Sequence, residues 1–536
     1  MSEKSYRSLG DYLETLEERG LLLRISEPVN KDTELHPLVR LQYRGLPEAQ
    51  RRAFLFENVV DSRGNSYDIP VAVGCVAGSR DIYAAGLRCR PEEIPGRWAE
   101  AYANPITPSL VNKGECQEIV LEGKALEDRG LDLLPIPIST PGFDNAPYTS
   151  ASQWITKDPE TGCLNMGIYR GQLKAPDRLG CHVTTPSKDL GRHWHAYRKL
   201  GKREMPVAIV IGVPPHLTYT AGAKVPAGIS EYDISGGLAG APVEVVKCRT
   251  VDLMVPSQAE IVIEGVMPTD ALELEGPFGE FAGYMANRGF TLFMEVTCIT
   301  HRRQPIYEAM LSQVPPSESS KIRQIGQEAS ARRVIEQDLG YSGQIKGIHF
   351  PESGGSLAVC IISFKKKSDD EPMKVLEALH KKRLVSKLAI VVDEDINAQD
   401  LDSVVSALAF RMQPARDMST VPGVATALDP SIMPPSEKSH VDILGASKLE
   451  GEASVCLIDA TCKWPYPPVS LPAKEFMEGA RQLWERLDLP PLELSEPWFG
   501  YSMGYWSEEE EEEAELAVKG EYYKTGEIFR KSRRKV

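Results

Sequence analysis

The sequence lacks any closely spaced pair of cysteines. Its ten cysteines occur singly and no Cys-x-x-Cys is present, so a zinc ribbon, a thioredoxin-type site and an iron–sulfur run are not expected. It also lacks the run of ~20 apolar residues that a membrane-spanning helix needs. The first six residues have none of the apolar character of a signal peptide. These absences predict a cytoplasmic protein with reduced thiols and no membrane partner.

Basic residues are also fewer than acidic residues. The chain has 61 Lys and Arg against 76 Asp and Glu, which gives a formal net charge of −15, so non-specific nucleic-acid binding is not expected. No GxGxxG or GxxxxGK[ST] string occurs, so neither a dinucleotide fold nor a P-loop is indicated. The length of 536 residues, of which 42% are hydrophobic and 26% charged, is typical of a globular chain of roughly three domains.

The first part of the chain mixes helix and strand patterns. Residues 9–16 carry leucines and a tyrosine at helical spacing, and Gly20 ends the pattern before a strand-like run at 21–25. A second strand is predicted at 69–74. We therefore expect a small α/β unit that reaches to about residue 120.

From Leu134 onward the pattern changes to short apolar runs broken by glycine and proline. Strands are predicted at 207–212, 259–265 and 292–300. Many short strands separated by such turns favour a barrel or a sandwich over a doubly wound sheet.

After about residue 320 the α/β pattern returns. A strand at 357–364, a helix at 373–382 and a strand at 388–392 predict a parallel crossover, followed by a helix at 401–410. Residues 473–487 predict a helix with one apolar face, formed by Phe476, Ala480, Leu483 and Trp484. The charged tail from residue 508 is predicted to be a solvated helix with a basic end, or else a helix that packs on a neighbouring subunit.

Two clusters contain residues suited to cation or anion binding. Arg170 stands in an apolar and aromatic context, where a guanidinium needs a carboxylate partner, and a structural salt bridge is the first interpretation. His182 is undecided between a structural histidine and a metal ligand on local grounds. The pair His193 and His195 could share one side of a strand. Its charged neighbours, however, indicate an exposed helix or loop, so metal binding by this pair is not favoured.

Two further clusters are rich in glycine. Residues 226–240 are interpreted, from the residues alone, as a turn-rich loop. Residues 274–284 place Glu275 and Glu280 among glycines, a proline and aromatics. This second segment is either a surface turn or a pocket wall in which a carboxylic acid stays protonated and acts as a general acid.

Taken together and in this order, the four clusters resemble the UbiD-like family of decarboxylases, which use prenylated FMN. Asn165 and Arg170 match the family's Asn-x-x-x-x-Arg element, and His182 matches its downstream histidine. Residues 228–231 match Gly-(Ile/Val)-Ser-Glu, and residues 274–280 carry the Leu-Glu-Gly-Pro-Phe-Gly-Glu string intact. The resemblance covers the chain from about residue 5 to residue 500.

The resemblance implies an α/β (α+β) fold in several parts. These are an N-terminal α/β domain at 1–125 and a central split β-barrel that binds the flavin at 126–318. A C-terminal α/β oligomerisation domain at 319–500 and a charged C-terminal helix or tail at 501–536 complete the chain. A homodimer or a hexamer is the expected assembly.

The resemblance also implies a cofactor site. Asn165, His182 and Glu231 would hold Mn²⁺ or Mg²⁺ beside the cofactor phosphate, with K⁺ nearby. Lys381 would bind the phosphate, although its neighbour Lys382 is an alternative. The cofactor-binding residues implied are Asn165, Gly167, Ile168, Arg170, Cys181, His182, Glu231 and Lys381.

The implied reaction is the reversible, non-oxidative decarboxylation of an aromatic or other α,β-unsaturated carboxylic acid, through a covalent adduct with prenylated FMN. Arg170 would orient the substrate carboxylate, Glu275 would complete a Glu-Arg-Glu network, and Glu280 would donate the proton that replaces CO₂. A flavin prenyltransferase would supply the cofactor. Two alternatives stay open: an enzyme or complex subunit that works in the carboxylation direction, and a non-catalytic flavin-binding relative.

Overall fold

The structure is a computed structural model. It describes residues 5–183, 188–225, 228–423, 428–432, 434 and 453–535. The chain divides into two compact units, one formed by Met1–Val404 and Pro414–Asp459 and the other by Val405–Gln413 and Ala460–Val536. Within the described ranges, no helix is both long enough and apolar enough to cross a membrane.

The first unit begins with the predicted α/β segment. Helix Leu9–Glu18 starts at Ser8, whose Oγ accepts the Asp11 N–H at 3.1 Å. Its buried face consists of the residues at helical spacing, and Gly20, at φ +66°, follows its end. The four-stranded sheet beside it has the order Leu22–Ile25, Ala53–Phe56, Val71–Val73 and Tyr307–Ala309. Further helices are Leu35–Gly45, Arg80–Gly86 and Ile94–Ala103.

One strand of this sheet comes from far along the chain. Tyr307–Ala309 pairs in parallel with Val71–Val73, residue for residue. All three residues of each strand are buried. A separate three-stranded sheet is formed by Val29–Asn30, Val59–Val60 and Ser66–Tyr67.

The centre of the unit is a ten-stranded sheet whose named pairings are antiparallel. Its longest strand, Gly289–His301, pairs with Arg178–Cys181 and with Ile261–Pro268. Its other strands are Ile119–Leu121, Tyr148–Thr149, Gln153–Lys157, Leu164–Ile168, Gly171–Ala175, Glu204–Ile211 and Glu273–Glu275. The β-branched run at 207–211 is fully buried here, as its composition predicts.

Helices and small sheets surround this centre. The helices are Lys124–Asp128, Asp189–Lys199, Pro215–Gly222 and Glu231–Ala239. A three-stranded sheet contains Ser109–Leu110, Glu244–Lys247 and Met254–Pro256, and a hairpin pairs Phe278–Gly279 with Met285–Ala286.

The interpretation of residues 226–240 as a loop is wrong for most of that stretch, because 231–239 form a helix. Ser230 caps this helix in a capping box with Asp233. Its glycines serve close packing: a Cβ on Gly236 would lie 2.5 Å from the Ile106 carbonyl oxygen, and one on Gly237 would lie 2.8 Å from that of Ala101. The glycines that looked like turn residues therefore allow the helix to approach the backbone of its neighbours.

The rest of the first unit contains a five-stranded sheet. Its order is Ile345–His349, Val359–Phe364, Leu388–Asp393, Ser454–Ala460 and Met418–Pro422. Val359–Phe364 and Leu388–Asp393 are parallel and helix Glu371–Lys381 connects them, which confirms the predicted crossover. Helices Glu318–Arg333, Leu401–Phe410 and Pro414–Asp417 also belong to this part of the sequence.

The second unit contains helices Lys474–Arg486, Glu508–Val518 and Tyr522–Lys531. The predicted tail helix is thus two helices. None of the three helices has a buried residue. The predicted apolar face of Lys474–Arg486 is exposed, with Phe476 at 46% and Leu483 at 45% of full exposure.

Candidate active site

A buried arginine forms the centre of the site. Arg170 lies between strands Leu164–Ile168 and Gly171–Ala175 and is 7% exposed. Its Nε donates to Glu275 Oε1 at 2.9 Å, its Nη2 donates to Glu275 Oε2 at 2.6 Å, and its Nη1 donates to Glu280 Oε1. The predicted carboxylate partner of Arg170 is therefore confirmed, and there are two of them.

Glu275 is the more deeply buried of the two carboxylates. It ends strand Glu273–Glu275, and its Oε2 also contacts His182 Nδ1 at 3.2 Å. Burial alone would raise the pKa of Glu275, but Arg170 and His182 outweigh it and hold that pKa well below its ordinary value. Glu275 is thus an ionised anchor for both side chains at neutral pH.

Glu280 belongs to a short turn that is held in place from two directions. The Glu280 N–H donates to the Tyr284 carbonyl at 3.1 Å, and the Gly283 N–H donates back to the Glu280 carbonyl at 2.9 Å. Gly283, at φ +90°, provides the left-handed backbone that this turn requires. The Arg323 guanidinium lies 3.7 Å from the ring centroid of Phe281, the next residue.

The strand before this turn is fixed by an acidic side chain that the sequence patterns did not point to. Asp144 accepts the Thr140 N–H at 2.6 Å and the Gly279 N–H at 3.1 Å. Burial raises the pKa of Asp144 to about 6 despite these hydrogen bonds. A Cβ on Gly279 would lie only 2.4 Å from Thr140 Oγ1, so any larger residue here would require Thr140 or the turn to shift.

Aromatic rings close one side of the Arg170 group. The Arg170 guanidinium lies 5.0 Å from the ring centroid of Phe278, and that ring packs on Tyr148 at 4.5 Å. The Tyr148 hydroxyl donates to the Pro277 carbonyl at 3.2 Å. The string at 274–280 therefore provides both carboxylates and an aromatic wall, so the pocket-wall interpretation fits and the solvated surface turn does not.

A second group of candidate residues lies where strand Leu164–Ile168 meets helix Glu231–Ala239. The Met166 N–H donates to Glu231 Oε2 at 2.9 Å, and Asn165 is buried immediately before Met166. Burial raises the pKa of Glu231 to about 7 despite this hydrogen bond. Among the described residues, the Glu231 carboxylate forms no ion pair with a basic side chain that would offset its charge.

An unsatisfied atom tests whether these residues fit a divalent cation. His182 Nε2 is buried and has no hydrogen-bond partner among the described residues. Because His182 Nδ1 contacts the Glu275 carboxylate, its proton is expected on Nδ1, which leaves the Nε2 lone pair available to a metal. Burial disfavours the charged form of Glu231, so a nearby cation would stabilise its carboxylate. The residue set fits, although no cluster of three His, Cys, Asp or Glu is formed in the part of the chain that the structure describes.

The remaining predicted cofactor residues have different surroundings. Gly167 and Ile168 continue the strand of Asn165, and a Cβ on Gly167 would meet the Tyr169 ring at 2.7 Å. Cys181 is buried at the end of strand Arg178–Cys181, where burial raises the pKa of its thiol, and it directly precedes His182.

The two lysines differ in what they touch. Lys381 ends helix Glu371–Lys381, is exposed, and makes no hydrogen bond or ion pair within the described ranges. Lys382 pairs with Asp338 at 3.0 Å, and its carbonyl accepts from Lys224 Nζ at 2.6 Å. The structure brings neither lysine into contact with the other candidate residues.

The histidine pair is separated from this site. His193 and His195 belong to helix Asp189–Lys199, as one of the two interpretations predicted. His193 is buried rather than exposed, and its Nδ1 is hydrogen-bonded to Thr156 Oγ1 at 2.9 Å. It is a structural histidine.

Comparisons with known proteins agree along most of the chain. Family models for the N-terminal, Rift-related central and C-terminal domains of 3-octaprenyl-4-hydroxybenzoate carboxy-lyase (UbiD) match residues 13–102, 109–315 and 322–449. An uncharacterised protein of Archaeoglobus fulgidus is 31% identical over 481 residues, which cover 86% of this chain and 92% of the relative. One of Aquifex aeolicus is 32% identical and covers 90% and 99%.

Solved structures extend the comparison to flavin-containing enzymes. The UbiD-class enzyme HmfF from Pelotomaculum thermopropionicum, in complex with FMN, is 30% identical with a TM-score of 0.72, covering 88% of this chain and 99% of HmfF. An evolved dimeric form of HmfF in complex with prFMN has a TM-score of 0.70 over 87% and 97%. The vanillic acid decarboxylase of Sedimentibacter hydroxybenzoicus in closed form is 26% identical, with a TM-score of 0.76 over 90% and 99%. The Glu-Arg-Glu geometry, the three matching domain models and these relatives together show that this chain belongs to the UbiD family of carboxy-lyases.

Proposed function

We propose that this chain is a prenylated-FMN-dependent decarboxylase that releases CO₂ from an aromatic or other α,β-unsaturated carboxylic acid. The observation that carries the proposal is the placement of the Arg170 guanidinium between the carboxylates of Glu275 and Glu280. A binding protein has no need of a buried arginine between two acids, whereas a decarboxylase needs a cation for the substrate carboxylate and a proton donor for the product.

Each of the three residues has a distinct role in this proposal. Arg170 binds and orients the reacting carboxylate. Glu275, ionised and doubly hydrogen-bonded to Arg170, fixes the plane of the guanidinium. Glu280 shares a single Arg170 nitrogen and sits on a turn, so its second oxygen is the one we assign to proton delivery at the carbon that loses CO₂.

The cofactor and its ions belong to the same proposal. Prenylated FMN, when bound, would supply the electron sink that a carbon losing CO₂ requires. Asn165, His182 and Glu231 would hold Mn²⁺ or Mg²⁺, with K⁺ nearby, and the unsatisfied Nε2 of His182 and the burial of the Glu231 carboxyl support this assignment. Gly167, Ile168 and Cys181 would line the flavin site, and Lys381 or Lys382 would contact the phosphate.

We also propose that the chain forms a homo-oligomer, a dimer or a hexamer. The second unit exposes large apolar side chains, and its helices Lys474–Arg486 and Tyr522–Lys531 have no buried residue. Exposed apolar surface of this kind supports a protein–protein interface. The exposed residues are Trp464, Phe476, Leu483, Leu487, Trp506, Tyr522, Ile528 and Phe529. Residues 1–125, 126–318, 319–500 and 501–536 remain our proposed division into N-terminal, flavin-binding, oligomerisation and tail regions. Light scattering of the full chain would test the assembly.

The experiment that tests the function uses the full chain co-expressed with a flavin prenyltransferase and supplied with Mn²⁺. We expect a flavin absorption spectrum, the mass of prenylated FMN in the extracted cofactor, and CO₂ release from members of a panel of aromatic and unsaturated acids. Folded protein that contains no flavin under these conditions would refute the proposal.

A further inference from the structure

A second arginine near Glu280 has no anionic partner among the described residues. Arg323 lies in the middle of helix Glu318–Arg333, and its guanidinium stacks on the Phe281 ring. The residue is half-buried, and its Nε is fully buried without a hydrogen-bond partner among the described residues. Across the ranges that the structure describes, no carboxylate lies within ion-pair distance of it.

The contrast with Arg170 shows what is missing. Arg170 is more deeply buried than Arg323, and it is matched by two carboxylates. A buried guanidinium is strongly disfavoured unless an anion and hydrogen-bond acceptors compensate for its lost hydration. Burial lowers the pKa of Arg323 from its ordinary value, and the charge of Glu280 opposes that effect. An anion brought by a ligand would supply the partner that the described residues do not.

The position of Arg323 favours a substrate anion over a cofactor anion. Its ring partner Phe281 directly follows Glu280, the residue we assign to proton delivery. Neither the proposed metal ligands Asn165 and Glu231 nor the proposed phosphate residues Lys381 and Lys382 form a hydrogen bond or an ion pair with Arg323 among the described residues. Arg323 therefore faces the end of the site where the substrate is protonated.

We propose that Arg323 binds a second carboxylate of the substrate, so that the chain acts on an unsaturated or aromatic dicarboxylic acid. One carboxylate meets Arg170 and leaves as CO₂, and the other meets Arg323 and is retained. This inference rests on the proposed function. A guanidinium matches a carboxylate with two parallel hydrogen bonds, and the Phe281 ring against one of its faces holds the fork in a fixed plane.

Such a site selects by charge. A substrate without the second carboxylate leaves the half-buried Arg323 guanidinium, with its buried Nε, unpaired, and sites with unpaired polar groups reject such analogues. The natural comparison is therefore between a dicarboxylic acid and its own monomethyl ester, which keeps the carbon skeleton and one carboxylate.

The test uses the flavin-loaded full chain with terephthalate, isophthalate and trans,trans-muconate, each against its monomethyl ester. Initial rates of CO₂ release give kcat and KM, and quenching of the bound flavin's fluorescence gives binding without turnover. Three proteins are compared: the unaltered chain, Arg323→Gln, and the control Arg332→Gln. Arg332 lies on the same helix and pairs with Glu336 at 2.9 Å, away from the site.

We expect at least one diacid to be preferred over its monoester by the unaltered chain. Arg323→Gln should raise the KM and the binding constant for that diacid by about 30-fold or more, and should leave the monoester nearly unaffected. Flavin content should not change, and Arg332→Gln should behave like the unaltered chain.

Other outcomes separate the two proposals. Equal use of diacids and monoesters by the unaltered chain would overturn the inference without any variant, and so remains decisive if Arg323→Gln does not fold. Loss of flavin from Arg323→Gln would also overturn it, because the guanidinium would then serve the cofactor phosphate. If no acid is turned over by flavin-loaded protein, the proposed function fails. In that case diacid binding that depends on Arg323 would still support the site, and its absence would refute both proposals.

Discussion

Arg170 and Glu275 are joined by two parallel hydrogen bonds, Nε to Oε1 at 2.9 Å and Nη2 to Oε2 at 2.6 Å. This arrangement uses both oxygens of Glu275 and leaves the third corner of the guanidinium to Glu280. The two acids are therefore not equivalent. Both Glu275 oxygens are hydrogen-bonded to Arg170, whereas Arg170 contacts one oxygen of Glu280, which is why we propose Glu280 as the proton donor.

We expect Glu280→Gln to abolish most of the turnover while leaving the fold and the cofactor in place. A positioned general acid contributes about 10²–10⁴-fold to a rate, and an amide of similar shape can still accept from Arg170. Steady-state CO₂ release and flavin content are the measurements. The control is Glu273→Gln, two residues before Glu275, whose carboxylate pairs with Lys174 at 2.9 Å. Full activity in Glu280→Gln would contradict the assignment.

Glu275→Gln should destabilise the chain in a pH-dependent way. The folded-state pKa of Glu275 is depressed, so its stabilisation is present above its unfolded pKa of about 4.3 and is lost as the pH falls toward the folded value. Removing one partner of a buried ion pair costs about 3–5 kcal/mol. Thermal unfolding at pH 7 should show a clear decrease in Tm, and the difference from the unaltered chain should shrink at pH 4. A difference that grows at pH 4 would show that the sign is wrong.

His182→Ala should remove the divalent cation. Loss of an outer partner of a metal ligand alone weakens affinity about 10–100-fold, so loss of a ligand should weaken it by about 100-fold or more. Metal content after dialysis, measured by mass spectrometry, and flavin content provide the readouts. His195→Ala is the matched control, because its ring packs edge-on against Trp194 in a helix outside the site. The reverse pattern, with metal lost from His195→Ala and retained in His182→Ala, would refute the proposed ligand set.

Gly279→Ala should displace the turn that carries Glu280. The new methyl group would lie 2.4 Å from Thr140 Oγ1, so either the Thr140 side chain or one of the two backbones must move. A misplacement of about 1 Å at a catalytic group can reduce a rate about 10²-fold, and flavin content should be unaffected. The double variant Gly279→Ala with Thr140→Ala removes the obstructing oxygen and should recover much of the rate. No recovery would mean that the glycine is needed for another reason.

Glu308 and Glu318 form a buried acidic pair outside the site. This pair should make the free energy of unfolding decrease as the pH becomes alkaline. Burial and the neighbouring Glu318 raise the pKa of Glu308 to about 8, and Glu308 Oε2 is buried without a hydrogen-bond partner in the part of the chain that the structure describes. Because this folded-state pKa is raised, the stabilisation is complete below the unfolded pKa of about 4.3 and is lost as the pH rises through about 8.

The unaltered chain should therefore lose about 2–4 kcal/mol of stability between pH 5 and pH 9 from this group. Glu308→Gln, which stays neutral, should flatten that dependence and raise the Tm at pH 9. The exposed Glu127→Gln provides the control. An unchanged slope in Glu308→Gln would show that Glu308 does not hold the proton.

The sequence predicted strongly periodic elements well because their periodicity directly reflects burial. The crossover 359–393 and the buried strand 204–211 are examples. It failed at residues 231–239, where glycines allow close helix packing instead of turns. Such glycines have the same composition as a loop, and only the position of the neighbouring backbone separates the two cases.

The site was predictable to the extent that its residues lie in short strings. Arg170, Glu275 and Glu280 stand in strings that a resemblance could match, and the structure joins them by hydrogen bonds. Asp144 and Arg323 lie far along the chain from the residues they support, at Gly279 and Phe281. A single sequence carries no signal for such distant contacts.

The parallel pairing of Tyr307–Ala309 with Val71–Val73 has a consequence for synthesis on the ribosome. The fourth strand of the first sheet emerges roughly 230 residues after the third, which at typical elongation rates is a delay of roughly 10–50 s. During that interval the Val71–Val73 edge is complete but unpaired, and unpaired strand edges are prone to join other chains. Chains truncated before residue 307 should accumulate as aggregates, because their Val71–Val73 edge stays unpaired.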